Sequence, residues 1–363
     1  EKELENWRRA GMPRRLLRQI HLGGGTPNFL SPEQIMRLGA IISEYFEIAD
    51  GCEFSAELDP RTLTRAKVQA FAKIGVNRAS LGVQDTNPEV QKAVNRIQPP
   101  QRNKEAVSWL RESGINNINI DLMYGLPLQT IKTFEKTIED ALELEPARIA
   151  LFGYAHVPWV KPAQKVLEKC GIPTSEEKAD LFILGKRSFE DAGYEFIGLD
   201  HFAKPADALI QARKNGTLHR NFQGYSTCAG IDLFAVGLTS ISETRTSYRQ
   251  NFKTMEDYKK AVESGELPIE RGIVLDGEDL LRRAVIMDIM CALKVDFNNY
   301  GVDFRSKFAE ALAKMEDMQK DGLVEMHEGG FSVLPIGRLF LRNIAMLFDG
   351  RLSAHKNTFS KTV

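Results

Sequence analysis

The sequence predicts an α/β fold, a partial (open) parallel β/α barrel with a winged-helix-like C-terminal subdomain. Over the first 155 residues, strand-like runs recur at intervals of roughly 25–40 residues, and a helix-like run follows each of them. This alternation predicts right-handed βαβ units and a parallel sheet. Five such units precede residue 155, fewer than the eight of a closed barrel. Hydrophobic residues make up 43% of the chain, which is enough for a sizeable core.

The predicted strands of this first part are short apolar runs bounded by turn residues. They cover residues 16–22, 52–58, 78–84, 117–125 and 148–154. The helices between them are predicted at residues 31–46, 62–75, 87–97, 103–114 and 131–144. The first helix carries a clear start signal, because Ser31 suits the N-cap, Pro32 the first turn and Gln34 a capping box.

The regular alternation ends near residue 161. Helices at 163–171 and 175–193 lead to a strand at 194–202, and the Gly-, Ser- and Thr-rich stretch 217–242 is expected to be a lid, a substrate loop or an irregular connection. The last part predicts two helices, a hairpin turning at Gly329-Gly330 and a closing helix, at residues 278–293, 304–322, 323–334 and 336–349. We therefore expect a partial barrel at 1–160, its extension with a substrate or lid region at 161–267, a winged-helix-like subdomain at 268–350 and a tail at 351–363.

Composition excludes several classes of function. The net charge is −1, so bulk electrostatics favour neither nucleic acid nor a membrane surface as a partner. No apolar run has the length of a membrane span, and no signal peptide is visible. The four cysteines, Cys52, Cys170, Cys228 and Cys291, form no CxxC pair, so neither a zinc site nor a disulfide framework is predicted. We expect a reduced, cytoplasmic location.

The stretch "HLGGGTPNFL", residues 21–30, places three glycines between a predicted strand and a predicted helix. Glycines at the carboxyl end of a parallel strand allow positive φ and let the backbone approach a ligand closely. A tight turn without a ligand is the alternative. The stretch contains no GxGxxG fingerprint and no Walker A lysine.

Polar residues also stand at the ends of three other predicted strands, namely Glu57, Gln84 and Asp121. Each has a structural alternative as a capping or edge residue. Because the carboxyl ends of parallel strands meet at one edge of the sheet, these three residues predict one shared binding site. It would offer acceptors for an amino group and for ribose hydroxyls. Arg96 could pair there with a carboxylate, or it could be a solvated helix residue. The sequence assigns no catalytic residue, since Cys228 has no identifiable base partner.

Several segments together resemble one known family. They are "HLGGGTPNFLSPEQ", "SAELDPR", "RASLGVQDTNPEVQKAVNRIQ", "NINIDLMYGLPLQT", "FGYAHVPW", "FIGLDHFAKP" and "LHRNFQGYST". They are similar to oxygen-independent coproporphyrinogen III dehydrogenases, radical S-adenosylmethionine (radical SAM) enzymes of haem biosynthesis. The resemblance covers essentially the whole chain and implies a radical SAM type of barrel.

The resemblance implies site residues. Positions that match the family's SAM contacts are Gly24, Gly25, Thr26, Glu57, Gln84, Arg96, Asp121, Ala155 and Ile241. The family binds two SAM molecules, and these residues divide between them. Lys204 and Arg220 lie in the two most specific segments, and we expect them to pair with substrate propionates, with solvated surface residues as the alternative.

The activity implied by the resemblance is the conversion of two propionate side chains of coproporphyrinogen III to vinyl groups, giving protoporphyrinogen IX. A reduced [4Fe–4S] cluster and SAM-derived 5′-deoxyadenosyl radicals drive it, with an unidentified electron donor and acceptor. We expect a monomer with no nucleic-acid or membrane partner.

One departure concerns the cluster. The family binds it with CxxxCxxC, and this chain has no such run. The motif precedes the first segment in the family, so we expect an N-terminally truncated chain that does not form the radical.

Two alternatives remain at this stage. A haem chaperone of the same superfamily branch is disfavoured by "HRNFQGY", because that branch usually carries an HN…YW pattern there. A DNA-binding regulator is disfavoured because the predicted recognition helix, 305–321, mixes basic with acidic residues.

Overall fold

A computed structural model describes residues 1–352 of the chain. Its contacts divide the described residues into two compact units, one formed by residues 14–207 and the other by residues 1–13 together with residues 208–352. The domain boundaries expected at 160, 267 and 350 stay predictions. The expected tail at 351–363 lies, apart from its first two residues, outside the described residues.

The unit of residues 14–207 is built on a seven-stranded sheet with the order β1-β2-β3-β4-β5-β7-β6. The strands are β1 Leu16–Leu22, β2 Glu47–Leu58, β3 Arg78–Gln84, β4 Asn117–Tyr124, β5 Arg148–Gly153, β6 Glu195–Gly198 and β7 His201–Ala203. Strands β1 to β5 are parallel to one another, whereas β7 runs antiparallel to both β5 and β6. The predicted open parallel α/β sheet is confirmed.

Thirteen α-helices lie within residues 1–352. They are α1 Lys2–Arg9, α2 Pro32–Tyr45, α3 Arg65–Lys73, α4 Pro88–Ala93, α5 Pro100–Glu112, α6 Ile131–Leu142, α7 Ser175–Asp191, α8 Ala208–Lys214, α9 Met255–Ser264, α10 Gly277–Met287, α11 Phe304–Lys307, α12 Ala309–Lys320 and α13 Leu341–Met346. The predicted start of α2 is confirmed, because Ser31 and Gln34 form a reciprocal capping box. The sequence patterns did not predict α1, α8 and α9.

Three predicted elements are wrong in detail. The single strand expected at 194–202 is a hairpin of β6 and β7, with Leu199 between them at a φ of 54°. The helix expected at 163–171 is 3-10 helix over Pro162–Cys170, and it has no buried residue to stabilise a regular α-helix. The helix expected at 304–322 breaks at Phe308, whose ring is buried and packs on Phe304 and Phe348.

Within residues 1–352, the second unit contains three small sheets. Their strands are β8 His219–Asn221, β9 Gly224–Ser226, β10 Ile241–Glu243, β11 Ser247–Asn251, β12 Ile269–Val274, β13 Lys294–Asp296, β14 Val324–His327 and β15 Gly330–Val333. The predicted helix, helix, hairpin, helix order is present in its last part, where β14 and β15 form the hairpin and β13 adds a third strand. Within this unit, the buried carboxylate of Glu3 on α1 accepts hydrogen bonds from Gly237, Asn251 and Tyr258.

Within residues 1–352, no helix is both long enough and apolar enough to cross a lipid bilayer.

Burial alternates along the central strands of the large sheet. The side chains on one face are apolar and buried, among them Phe54, Ala56, Leu58, Ala79, Leu81, Val83, Ile118, Ile120 and Leu122. The intervening residues on the other face are partly exposed, and most of them are polar. Parallel sheets are usually apolar on both faces, so a polar face indicates that this surface has another use.

Asn28 fixes the loop after β1 to the loop after β2. It is fully buried, its Nδ2 donates to the Asp59 carbonyl and the Thr62 hydroxyl at 2.9 Å each, and its Oδ1 accepts from the Asp59 amide at 2.8 Å. Two loops at the carboxyl edge of the sheet therefore form one rigid rim.

We predict that Asn28→Ala lowers the free energy of unfolding by about 2 kcal/mol, because it removes three hydrogen bonds and leaves buried partners unpaired. Urea denaturation measures this change. The matched control is Asn116→Ala, since Asn116 is exposed and makes one long hydrogen bond of 3.5 Å. An equal effect of the two substitutions would contradict the proposed role of Asn28.

Candidate functional site

The polar face of the sheet carries one continuous layer of side chains near the carboxyl ends of β1 to β4. Strand register aligns His21 with Ser55, Glu57 with Ser80, and Ser80 with Asn119. Because side chains alternate along a strand, Ser55 and Glu57 share this face, as do Asn119 and Asp121. The layer therefore brings polar residues of four neighbouring strands together.

At one end of the layer, His21 holds Glu57 in place. Its Nδ1 lies 2.8 Å from the Ser55 hydroxyl and its Nε2 lies 3.1 Å from Glu57 Oε1. The His21 hydrogen bond, with a further one from the Gly24 backbone, lowers the pKa of Glu57 despite the opposing effect of burial. Glu57 is therefore an ionised carboxylate at neutral pH.

The triple-glycine loop packs on this pair. A Cβ on Gly23 would lie 2.5 Å from His21 Nε2 and 2.8 Å from Glu57 Cδ, so any side chain here would displace the pair. Gly24 has a φ of 80°, in the left-handed region that favours glycine. Gly25 has open space where a Cβ would stand. Two of the glycines are thus required by the local geometry, and the third leaves bare backbone at the site.

At the other end of the layer, Asp121 accepts hydrogen bonds on both oxygens. Ser80 Oγ donates to Oδ2 at 2.8 Å, and Asn119 Nδ2 donates to Oδ1 at 2.6 Å. Burial raises the pKa of Asp121 to about 6, the two hydrogen bonds oppose this rise, and the charge of Glu57 adds to it. No cation is hydrogen-bonded to the Asp121 carboxylate among the described residues.

Arg96 crosses the end of β3. Its Nη2 donates to the Gly82 carbonyl at 2.8 Å and its Nη1 lies 3.4 Å from Asp59 Oδ2, while its Nε is buried without a partner within residues 1–352. Burial raises the pKa of Asp59, but hydrogen bonds from Arg61 and the charge of Arg96 outweigh it and leave the pKa below its usual value. A Cβ on Gly82 would lie 2.9 Å from Gln84 Nε2 and 3.2 Å from Arg96 Nη2, so glycine makes room for both side chains.

Gln84 ends β3 with a φ of 66°, a value that is unusual for a residue with a side chain. Its Oε1 is buried and has no hydrogen-bond partner in the part of the chain that the structure describes. Strained backbone and an unpaired buried acceptor each cost free energy, and both are more common at binding sites than elsewhere.

These groups surround one cleft of about 170 Å³ at the carboxyl edge of the sheet. Its lining consists of Gly25, Thr26, Glu57, Leu58, Asp59, Ser80, Gly82, Gln84, Arg96 and Asp121. The cleft offers carboxylate acceptors, an unpaired amide oxygen and an unpaired guanidinium N–H, so it suits a ligand that carries both charges and hydroxyl groups.

The structure brings most of the predicted site residues together. Gly25, Thr26, Glu57, Gln84, Arg96 and Asp121 line the cleft, and Gly24 contacts the Glu57 carboxylate. Ala155 is exposed just beyond β5, at the same edge of the sheet. Ile241 belongs to β10 of the other unit.

The two residues expected to bind propionates are placed differently. Lys204 is exposed and lies at the opposite edge of the sheet, where its backbone N–H donates to the Ala147 carbonyl just before β5. It is therefore not brought to the cleft. Arg220 lies on β8 of the other unit, and its Nε is buried with no partner within residues 1–352.

The sequence patterns did not predict Ser80, Asn119 and Asp59 as site residues, and they indicated only a strand-end position for His21. A usable signal was present, because Asn119 stands two residues before Asp121 and Ser80 stands four before Gln84. Polar residues at a period of two in otherwise apolar strands indicate a polar sheet face.

Comparison with known proteins defines the class. A family model described as the Radical SAM superfamily matches residues 2–141, and a model described as the HemN C-terminal domain matches residues 275–340. The fold and these matches make the chain a member of the radical SAM superfamily.

The relatives narrow the class further. Oxygen-independent coproporphyrinogen III oxidases of Synechocystis sp. and Helicobacter pylori are 40% and 41% identical over 96% and 100% of this chain, and the aligned parts are 77% and 80% of their own lengths. The solved structure of coproporphyrinogen III oxidase (HemN) from Escherichia coli, a radical SAM enzyme, matches with a TM-score of 0.92 and 39% identity over 97% of this chain and 82% of that one. The chain belongs to the oxygen-independent coproporphyrinogen III oxidase family.

Membership implies SAM and a [4Fe–4S] cluster as cofactors. The cleft fits SAM for two reasons. Gln84 Oε1 and Arg96 Nε have no hydrogen-bond partner within residues 1–352, and the open space at Gly25 lets a polar ligand reach the backbone. The cysteines do not fit the cluster. Cys52 and Cys291 are buried, all four are far apart in sequence, and no group of metal-ligating side chains is found within residues 1–352.

We predict that Asp121→Asn raises the free energy of unfolding of the ligand-free chain by about 2 kcal/mol at pH 7. The pKa of Asp121 is higher in the folded than in the unfolded chain, so the folded chain binds more protons between about pH 4 and 6. Wild-type stability is therefore lost as the pH rises through this window, and asparagine removes that cost. Urea denaturation from pH 4 to pH 7 measures the difference.

The gain from Asp121→Asn should shrink to about 0.5 kcal/mol at pH 4, where the folded wild-type carboxyl is protonated and the unfolded one, with a pKa of about 3.9, is about half protonated. Asp180→Asn on α7 is the matched control, because Asp180 is an exposed aspartate outside the cleft. A pH-independent gain, or a gain of equal size in the control, would show that Asp121 carries no ionisation cost.

Proposed function

We propose that the cleft binds SAM and that the protein catalyses the oxidative decarboxylation of two propionates of coproporphyrinogen III, giving protoporphyrinogen IX. The observation that supports SAM most directly is that three groups line the same cleft. They are the ionised Glu57, the Asp121 carboxylate, to which no cation is hydrogen-bonded among the described residues, and Arg96, whose Nε has no partner there. SAM carries an ammonium, a sulfonium, a carboxylate and two ribose hydroxyls, so it complements both kinds of group.

Each side chain has a task in this proposal. Glu57 and Asp121 accept hydrogen bonds from the ammonium or the ribose hydroxyls, and Arg96 and the backbone of Gly25 and Thr26 supply donors. Gln84 offers an unpaired acceptor to the adenine or ribose. Because these groups are already held by their neighbours, the ligand meets a preorganised site and orders few side chains on binding.

When bound, SAM supplies the radical that removes one hydrogen atom from each propionate. Every propionate that becomes a vinyl group then loses one CO₂ and one electron, so an electron acceptor is required in addition to an electron donor. The residues of this chain bind, orient and shield the reacting groups. The [4Fe–4S] ligands are not among its cysteines, so no residue named above is given a role in cluster binding.

The binding of two SAM molecules, with Ala155 and Ile241 among their contacts, rests on the family resemblance. We further propose that substrate propionates pair with arginine, because the substrate carries four carboxylates. Arg220 fits this second role because its Nε is buried and unpaired within the described residues. Lys204 does not enter the proposal, since it lies at the other edge of the sheet.

The relatives do not favour a haem chaperone, since those with about 40% identity are named coproporphyrinogen III oxidases.

We predict that Glu57→Gln weakens SAM binding by about tenfold or more, because the substitution keeps the shape but removes the charge that strengthens the hydrogen bonds. Isothermal titration calorimetry of the ligand-free chain with SAM measures the affinity. Glu112→Gln is the matched control, as Glu112 is an exposed glutamate at the end of α5. If Glu57→Gln and Glu112→Gln bind SAM equally well, SAM does not use this cleft.

We predict that the protein as its gene encodes it, reconstituted anaerobically with iron and sulfide, converts coproporphyrinogen III in the presence of SAM and dithionite. Porphyrin products are measured by chromatography after oxidation. Asp121→Asn should abolish conversion while leaving the iron content unchanged. Tight stoichiometric haem binding without SAM cleavage would instead support a chaperone.

A further inference from the structure

Two side chains that are not among the predicted SAM contacts hold the Asp121 carboxylate. Ser80 on β3 and Asn119 on β4 each donate one hydrogen bond to it, to different oxygens, and Asn119 Nδ2 also donates to Ser80 Oγ at 2.8 Å. The three side chains form a closed triangle in the polar layer of the sheet.

The hydrogen atoms of this triangle can be assigned by counting donors. Asn119 uses its two amide hydrogens, one on Asp121 and one on Ser80. Ser80 has a single hydroxyl hydrogen, which it donates to Asp121. Both carboxylate oxygens therefore act as acceptors, which is the pattern that an ionised carboxylate requires and a protonated one disturbs.

The triangle is costly to the fold. Asn119 Oδ1 is buried and has no hydrogen-bond partner within residues 1–352, and Asp121 is a desolvated carboxylate. An apolar residue at position 119 would avoid the unpaired oxygen. Polar residues that lower stability beside a binding cleft indicate a functional requirement.

We propose that Ser80 and Asn119 are positioning residues that keep Asp121 ionised and oriented towards a cationic, hydroxyl-bearing ligand. This inference rests on the proposed function and extends it, because it states what makes the SAM-binding carboxylate available. Loss of either donor would favour the protonated acid, which has one acceptor fewer to offer to the ligand.

The other charged groups near Asp121 are few. Directly opposite it in register stand Gly82 of β3 and Ala150 of β5, which do not titrate. Glu57 lies near Asp121 on β2, and Asp59 and Arg96 line the same cleft. His201 of β7 is paired with Ala150 of β5, one strand beyond the neighbour of Asp121. Of these, Glu57 is the one whose charge contributes to the raised pKa of Asp121.

The first test titrates Asp121 itself in the ligand-free chain, so it does not depend on SAM. Selective ¹³C labelling of aspartate follows the carboxyl resonance by NMR, and its loss in Asp121→Asn assigns it. We expect a wild-type midpoint near pH 6 and, in Ser80→Ala, a midpoint higher by about one pH unit. Ser80→Thr keeps the hydroxyl and should restore the wild-type midpoint.

The matched control is Ser108→Ala. Ser108 also donates to a carboxylate at 2.8 Å, that of Glu112, but on the exposed surface of α5. An unchanged midpoint in Ser80→Ala overturns the proposal, as does a shift of the same size in Ser80→Thr or Ser108→Ala. Asn119→Leu provides a second, independent variant, in which we expect the same upward shift.

The second test measures SAM affinity against pH by calorimetry. Wild-type affinity should fall as the pH drops through 6, and in Ser80→Ala the fall should begin about one pH unit higher and affinity should recover at pH 7.5. A loss of affinity that is equal at every pH would indicate damage to the fold and contradict the proposal. If the wild type does not bind SAM at all, the proposed function fails, while the NMR titration still decides the roles of Ser80 and Asn119.

Discussion

The two-residue alternation of β2, β3 and β4 is the constraint on which the rest of the site depends. One face of these strands is apolar and buried, and this fixes their register against the rest of the unit. The intervening side chains of each strand must then lie on the opposite face, because side chains alternate along a strand. Ser55, Glu57, Ser80 and Asp121 therefore form one layer. Because the strands are parallel, their carboxyl ends meet at a single edge and the layer ends in one cleft.

Within that layer, side-chain hydrogen bonds and close backbone contacts do most of the positioning. Glu57 is held by His21 and the Gly24 backbone, and Asp121 by Ser80 and Asn119. No cation is hydrogen-bonded to Asp121 among the described residues, so the cleft keeps a negative charge that a sulfonium or ammonium can balance. The fold bears a desolvation cost here, and such a cost is expected where a protein keeps groups ready for a ligand.

Much of the fold and of the candidate site could be predicted from the sequence, because both depend largely on local patterns. Features that depend on tertiary contacts could not be predicted. The βαβ periodicity predicted β1 to β5. Because the carboxyl ends of parallel strands meet at one edge of the sheet, the sequence also predicted that Glu57, Gln84 and Asp121 lie close together. The roles of Ser80 and Asn119 depend on cross-strand register, which the sequence does not encode locally. The break of the helix at Phe308 depends on tertiary packing. The assignment of α1 to the second unit depends on contacts between distant parts of the chain. Local sequence patterns could therefore predict neither feature.

The most direct test of the central claim is a crystal structure of the chain with bound SAM. We expect electron density for SAM in the cleft, with Glu57 or Asp121 within hydrogen-bond distance of its ammonium or ribose and Arg96 or the Gly25–Thr26 backbone near its polar groups. The positions of Ser80 and Asn119 should be the same with and without the ligand. Density for SAM elsewhere, with the cleft filled only by water, would contradict the assignment of this site.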